Sequence, residues 1–296
     1  MSTPGRRKAV RGGPGGFVLT LQVRARDADA IGERVRKAWG LEPVQISRPG
    51  SSIDWIEVYF RRGEEASLAA TALDGWKSVL ATAVRGYRDQ DWLTFWKRHF
   101  RARNVGEHLH LCPVWERHRA FGRGRTRIII NPGMSFGTGD HFTTRFCLEM
   151  IERTCVPRPP RSLLDIGTGS GVLAIAAARL GVKKVVAVDN DPLAVGQARE
   201  NAKLNRLGRR IDFCVMDIVT EKPRGRFDVV CANLYGHLLV EAAPALRSLA
   251  SRFVILSGIR EMETDLVADA FLALKTRELV RDGDGQWSGL LLEVGC

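Results

Sequence analysis

From residue 131 onward, short apolar runs alternate with stretches of helical spacing. Segments 162–166, 184–189, 211–215, 227–232, 252–257, 275–280 and 287–294 read as strands, each of about the usual strand length. Helices follow the first two, at about 171–181 and 191–205. This alternation predicts an α/β doubly wound, Rossmann-like parallel sheet. The last two strands are joined by Arg281-Asp-Gly-Asp-Gly-Gln286, which reads as a hairpin turn.

The preceding part of the chain has a different rhythm. Phe17 to Val23 is rich in strand formers, and Ala28, Ile31, Val35 and Trp39 fall at helical spacing. Pro43 to Ile46 and Ile53 to Phe60 read as strands, Glu64 to Val79 as a helix, and Thr82 to Val84 as a last strand. That order predicts a small ferredoxin-like α+β domain over 17–86. A connector over 87–130 contains a helix from Asp91 to Phe100 and strands at 108–112 and 126–130. Residues 1–16 read as a disordered basic tail, and 131–296 as the doubly wound domain.

Composition narrows the class. At 296 residues with 45% hydrophobic content, the chain has the length of about two domains and the balance of a globular protein. It contains no apolar run long enough to span a bilayer. The basic N-terminus lacks the apolar stretch of a signal peptide. Cysteines at 112, 147, 155, 214, 231 and 296 form no C-x-x-C pair, which predicts reduced, mostly buried thiols and a cytoplasmic location. The net charge of +12 is uneven, with nine cations against three acids in 91–130. Such a band suits an anionic partner such as a ribosome or its RNA, or is simply a solvated surface.

The candidate chemistry lies in two glycine-rich stretches. The second, Leu163-Leu-Asp165-Ile-Gly167-Thr-Gly169-Ser-Gly171, precedes Val185-Val-Ala-Val-Asp189 by about one βαβ unit. A strand, a glycine turn, a helix and a strand ending in an acid make a nucleotide-ribose site. A dinucleotide turn has the spacing G-x-G-x-x-G, whereas here the third glycine comes one position early and Val172 takes its place. Asp165 would also repel a pyrophosphate, but it favours a cofactor with a cationic amino end. The pattern therefore reads as a site for S-adenosylmethionine. Gly167 and Gly169 can adopt positive φ and admit the backbone close to the cofactor. Asp189 is placed to accept both ribose hydroxyls unless it caps the next helix, a role open to Asn190 or Asp191. Asp217, after the third strand, could accept from the adenine amine or cap a turn. His108, His110 and Cys112 would share one face of a strand, but no fourth residue has metal-ligand spacing, so no metal is expected.

The first stretch, Pro132-Gly-Met-Ser-Phe136-Gly-Thr138-Gly139-Asp-His141-Phe-Thr-Thr144, resembles the P-G-x-x-F-G-T-G-x-H-x-T-T signature of the ribosomal protein L11 methyltransferase family. Further matches are Asp91-Trp92, Trp96-Lys97, Phe100, Pro113-Val-Trp115-Glu116, Ala232-Asn233-Leu234 and Leu256-Ser-Gly-Ile259. The resemblance implies the class I methyltransferase fold with an antiparallel last strand, and an N-terminal domain that recognises a protein substrate. It implies that Thr144 contacts the cofactor, where its hydroxyl could hold the methionine carboxylate. Phe136, Thr138 and Gly139 would belong to a loop that closes over the methionine end. Asn233 would face the departing methyl and accept a hydrogen bond from the attacking amine. His141 is expected as a hydrogen-bonding strut rather than a base. Phe142 stands where the family usually has proline, and Tyr235 departs from its N-I-L-A continuation.

The expected activity is S-adenosylmethionine-dependent methylation of lysine and α-amino groups, with ribosomal protein L11 as the partner. The alternatives are an RNA methyltransferase on the same fold, using the basic connector against phosphates, and a cofactor-binding module without turnover.

Overall fold

The structure is a computed structural model and describes residues 16–41, 43–46, 51–87, 100–131 and 141–295. The tail before Gly16, the helix expected from Asp91, and Phe136, Thr138 and Gly139 lie outside the described residues. The chain divides into two compact units, with the boundary between residues 99 and 100.

In the first unit, β1 (Gly16–Arg24) turns Leu19, Leu21 and Val23 to one face by the two-residue period of a strand. Ile56, Val58 and Phe60 of β3 (Ile53–Phe60) join them. Two helices cover this face. α1 (Ala28–Trp39) contributes Ala28, Ile31 and Val35, and α2 (Gly63–Asp74) contributes Ala66, Ala69 and Leu73. With β2 (Val44–Ile46) and β4 (Val79–Tyr87), the order is β2-β3-β1-β4, antiparallel throughout. This βαββαβ arrangement is the expected ferredoxin-like one. α2 is shorter than its apolar spacing predicts. It ends before Gly75, where Trp76 donates back to the Leu73 carbonyl, and the chain turns into β4 at Val79.

The second unit opens with a three-stranded sheet of β5 (Arg103–Val105), β6 (Leu109–Pro113) and β7 (Thr126–Ile130). Residues 100–131 thus share a unit with the larger sheet. α3 (Phe142–Cys155) comes next, then the alternation β8 (Ser162–Ile166), α4 (Val172–Arg179), β9 (Lys184–Asp189), α5 (Pro192–Leu204) and β10 (Ile211–Val215). β11 (Phe227–Asn233), α6 (Gly236–Leu249), β12 (Ala250–Arg260), α7 (Thr264–Leu272), β13 (Thr276–Gly283) and β14 (Trp287–Val294) complete it.

The seven-stranded order is β10-β9-β8-β11-β12-β14-β13. β8 to β12 run parallel, and β14 inserts antiparallel between β12 and β13. The order reverses between β8 and β11, so their carboxyl ends open a crevice, the usual ligand position in such sheets. Beneath it, Leu164, Val230, Leu256 and Leu290 pack against Leu239 and Leu246 of α6 and Phe271 of α7. Each such side chain contributes about 1.5–3 kcal/mol by leaving water, which makes the sheet a rigid support for the residues at its edge.

Candidate active site

The turn leaving β8 has positive φ at all three glycines: 70° at Gly167, 53° at Gly169 and 82° at Gly171. These are left-handed conformations that favour glycine. Gly167 and Thr168 both donate to the Val188 carbonyl, at 2.9 and 3.0 Å. A Cβ at Gly167 would strike the Leu234 side chain, and one at Gly171 would come within 2.9 Å of the Ala198 Cβ. The first and third glycines therefore also serve packing against neighbouring elements.

Asp189, the last residue of β9, accepts from Gly169 N at 2.9 Å through Oδ2 and from Asp191 N at 3.0 Å through Oδ1. It does not cap α5. Asp191 does, accepting from Leu193 N at 2.8 Å. A carboxylate has about four acceptor sites, so Asp189 keeps capacity for two further donors.

Asp165 is fully buried at the end of β8. Its Oδ2 accepts from Thr168 Oγ1 at 2.7 Å and from Ala174 N, in the first turn of α4, at 3.2 Å. Its Oδ1 has no partner among the described residues. Burial raises its pKa to about 7, against the pull of those two donors. An isolated buried carboxylate is costly, and a cationic ligand group at Oδ1 would relieve that cost.

Two more buried atoms are in the same condition. Asn233 closes β11, and its Oδ1 has no partner among the described residues. Thr144 lies in the first turn of α3, 1% exposed, and its Oγ1 is likewise without a partner. α3 begins at the same pole of the sheet. His141 caps it through Nδ1 and packs edge-on against Trp287 at 5.1 Å, and Trp287 pairs with Arg260 at the carboxyl end of β12. Buried polar atoms are nearly always satisfied. Three orphans around one crevice mark a place for a polar ligand. A profile of the family described as ribosomal protein L11 methyltransferase (PrmA) matches residues 28–292. The chain belongs to this family.

Relatives of that name include proteins from Pelotomaculum thermopropionicum, 40% identical over 78% of this chain and 73% of the relative, and Symbiobacterium thermophilum, 33% identical over 90% of each. The crystal structure of ribosomal protein L11 methylase from Lactobacillus delbrueckii subsp. bulgaricus is 31% identical, with a TM-score of 0.61, covering 67% of this chain and 100% of that chain.

The structure of this family member brings Thr144, Asp165, Gly167, Gly169, Asp189 and Asn233 to the carboxyl pole. Asp217 is exposed beyond β10, where its Oδ1 accepts from Val219 N at 3.0 Å, so it caps a turn. Phe142 opens α3 at the position where proline is best tolerated; its ring stacks on Phe146 at 6.0 Å and is 7% exposed. Tyr235 precedes α6 and stacks on His237 at 6.2 Å.

Two asparagines that the sequence reading passed over hold the site together. Asn201 of α5 is fully buried; it donates to the Ser170 carbonyl at 2.8 Å and accepts from Asn131 N at 2.9 Å. One turn later, Asn205 accepts from Ile129 N at 2.8 Å and donates to the Ile129 carbonyl. They pin β7 to the glycine turn. Their i,i+4 spacing on an amphipathic helix was the available signal.

The connector arginines largely serve their own segment. Buried Glu116 accepts from Ala102 N at 3.1 Å and Arg101 at 3.2 Å, with Arg119 at 3.3 Å. Burial would raise the Glu116 pKa, but those partners outweigh it and hold it low. Arg125 donates to the Gly106 and Leu109 carbonyls, and Arg127 to those of Arg117 and Arg119. His108 and His110 have partners in Glu152 and Asn104. Cys112, Cys147, Cys155 and Cys231 are buried free thiols, and Cys214 is exposed. Among the described residues no helix is long and apolar enough to cross a membrane.

Proposed function

We propose that this protein uses S-adenosylmethionine to methylate amino groups of ribosomal protein L11, on lysine side chains and at an α-amine. One observation carries the reading: among the described residues, Thr144 Oγ1, Asp165 Oδ1 and Asn233 Oδ1 are buried without partners at the carboxyl pole of a methyltransferase-type sheet. These acceptors fit a zwitterionic, phosphate-free nucleoside. Asp165 would hold the ammonium, Thr144 the carboxylate through its hydroxyl hydrogen, and Asp189 the ribose hydroxyls. Bound S-adenosylmethionine supplies an electrophilic methyl on sulfur.

The remaining work falls to the chain itself. An attacking lysine has a free pKa of about 10.4 and must arrive neutral, which desolvation in the crevice favours. Asn233 Oδ1 accepts a hydrogen from that amine and so orients its lone pair. No covalent enzyme intermediate is needed, and positioning supplies most of the acceleration. The free, mostly buried thiols support a cytoplasmic setting.

The test is transfer of labelled methyl from S-adenosylmethionine into an unmethylated ribosomal lysate, separated into protein and RNA. Label in one small ribosomal protein, identified by mass as L11, is the expected result. Label in RNA would replace the substrate assignment, and no label in either fraction would leave a binding module.

A further inference from the structure

The pole of the sheet opposite the active site is strongly basic. Lys183 and Lys184 stand at the entry to β9, the loop entering β10 carries Arg206, Arg209 and Arg210, and the loop entering β11 carries Lys222, Arg224 and Arg226. Asp217 and Glu221 are the two acids in those three loops, and Asp217 is taken up by its own turn. Because β9, β10 and β11 run the same way in one sheet, all three loops emerge on one side. All eight cations are exposed, and among the described residues none forms an ion pair with a carboxylate. Arg226 is engaged internally, donating to the Ala250 carbonyl at 2.7 Å.

A cleft of about 590 Å³ opens beside these loops at the β10 edge. Lys184, Arg199, Lys203 and Arg224 rim it against one carboxylate, Asp212. Lys203 is paired with Glu200, while the Lys184 ammonium lies 5.1 Å from the Phe227 ring. Val186 and Phe227 give the cleft apolar lining. Charge around an apolar hollow suits a flexible polyanion whose phosphates reach the rim while a base enters the cleft. A flat lipid surface would not enter it.

We infer that this basic pole, rather than the connector, binds single-stranded RNA through its phosphates. The contrast with the connector supports the assignment. There, Arg101, Arg119, Arg125 and Arg127 are already committed to Glu116 and to backbone carbonyls. RNA held at the opposite pole leaves the crevice at the carboxyl ends of β8 and β11 open to a protein substrate. The inference does not depend on the methyl-transfer reading.

The experiment is fluorescence anisotropy of the full chain with a labelled single-stranded RNA of about 20 nucleotides, at about 50 and 200 mM salt. About four phosphate contacts predict a roughly 50-fold loss of affinity between those salts, from a slope of about −0.7 per contact. The double variant Lys184→Gln/Arg224→Gln should flatten the slope by about 1.4, as should Arg209→Gln/Arg210→Gln, whose side chains have no internal contact among the described residues. Arg117→Gln/Arg123→Gln in the connector should bind like wild type. Retained affinity in both pole variants, loss in the connector variant, or no binding at the lower salt would each overturn the inference. Tighter capture by phosphatidylserine-containing vesicles through the same cations would overturn it in favour of a membrane.

Discussion

Gly169 donates its backbone N–H to Asp189 Oδ2 at 2.9 Å. The acid that closes β9 therefore also shapes the turn that leaves β8, and cofactor binding and turn geometry share one side chain. Asp189→Ala should abolish binding of S-adenosylmethionine in calorimetry and lower apo stability by about 1 kcal/mol, the worth of a typical hydrogen bond. Equal affinity in wild type and variant would sink the ribose assignment.

The pH response should follow Asp165. Its folded pKa, raised to about 7, lies above the unfolded value, so the buried acid favours the fold when protonated. Apo stability from this group is full below about pH 4 and is lost as pH rises toward 7. A cationic ligand reverses the preference by favouring the ionised form. Affinity for S-adenosylmethionine should thus increase from pH 6 to pH 8 with release of a proton, and Asp165→Asn should remove the pH dependence. Calorimetry in buffers of different ionisation enthalpy reads the proton directly.

Asn233→Ala should separate binding from turnover. The side chain is assigned to the incoming amine, so cofactor affinity should stay within a few-fold while kcat falls by about 100-fold or more. A loss confined to cofactor affinity would move Asn233 from the amine to the cofactor.

Asn201→Ala would strip partners from the Ser170 carbonyl and from Asn131 N together. With buried backbone groups left unpaired, the cost should be about 2–4 kcal/mol, visible as a lowered midpoint in urea. Turnover should fall with it, because the glycine turn loses its tie to β7.

Gly258 has φ 81°, and a Cβ there would fall on the Leu234 backbone carbonyl. Gly258→Ala should displace the chain just after Asn233 and cost at least 1–3 kcal/mol in backbone strain alone. The measurement is the melting temperature, with turnover at a temperature where the variant remains folded.

The central strands were legible because each is a short apolar run bounded by polar turns. The limits expected for β8, β9, β10 and β14 match those observed. Three helices were not assigned from sequence. α3 follows directly on a glycine-rich stretch that reads as loop, α6 contains Pro244, and α7 is only nine residues long. At the site, the glycine turn and its two acids could be read from spacing alone. Thr144 and Asn233 came from family resemblance, since a lone threonine or asparagine has no local signature. The i,i+4 spacing of Asn201 and Asn205 marks a polar pair but not its purpose: the partners of Asn201, Asn131 and Ser170, lie far along the chain, and only the fold brings them within reach. The charge of the connector was read correctly, but its partners, Glu116 and nearby carbonyls, cannot be deduced from composition.

The antiparallel insertion of β14 sets the order in which the enzyme can be made. β14 leaves the ribosome after β12 and β13, yet it must slip between them, and it brings the Trp287 ring on which His141 rests. Until that strand is free, His141 at the start of α3 lacks its aromatic neighbour. A copy stalled before Trp287 would therefore carry the glycine turn and both of its acids, yet lack the strand that joins β12 to β13.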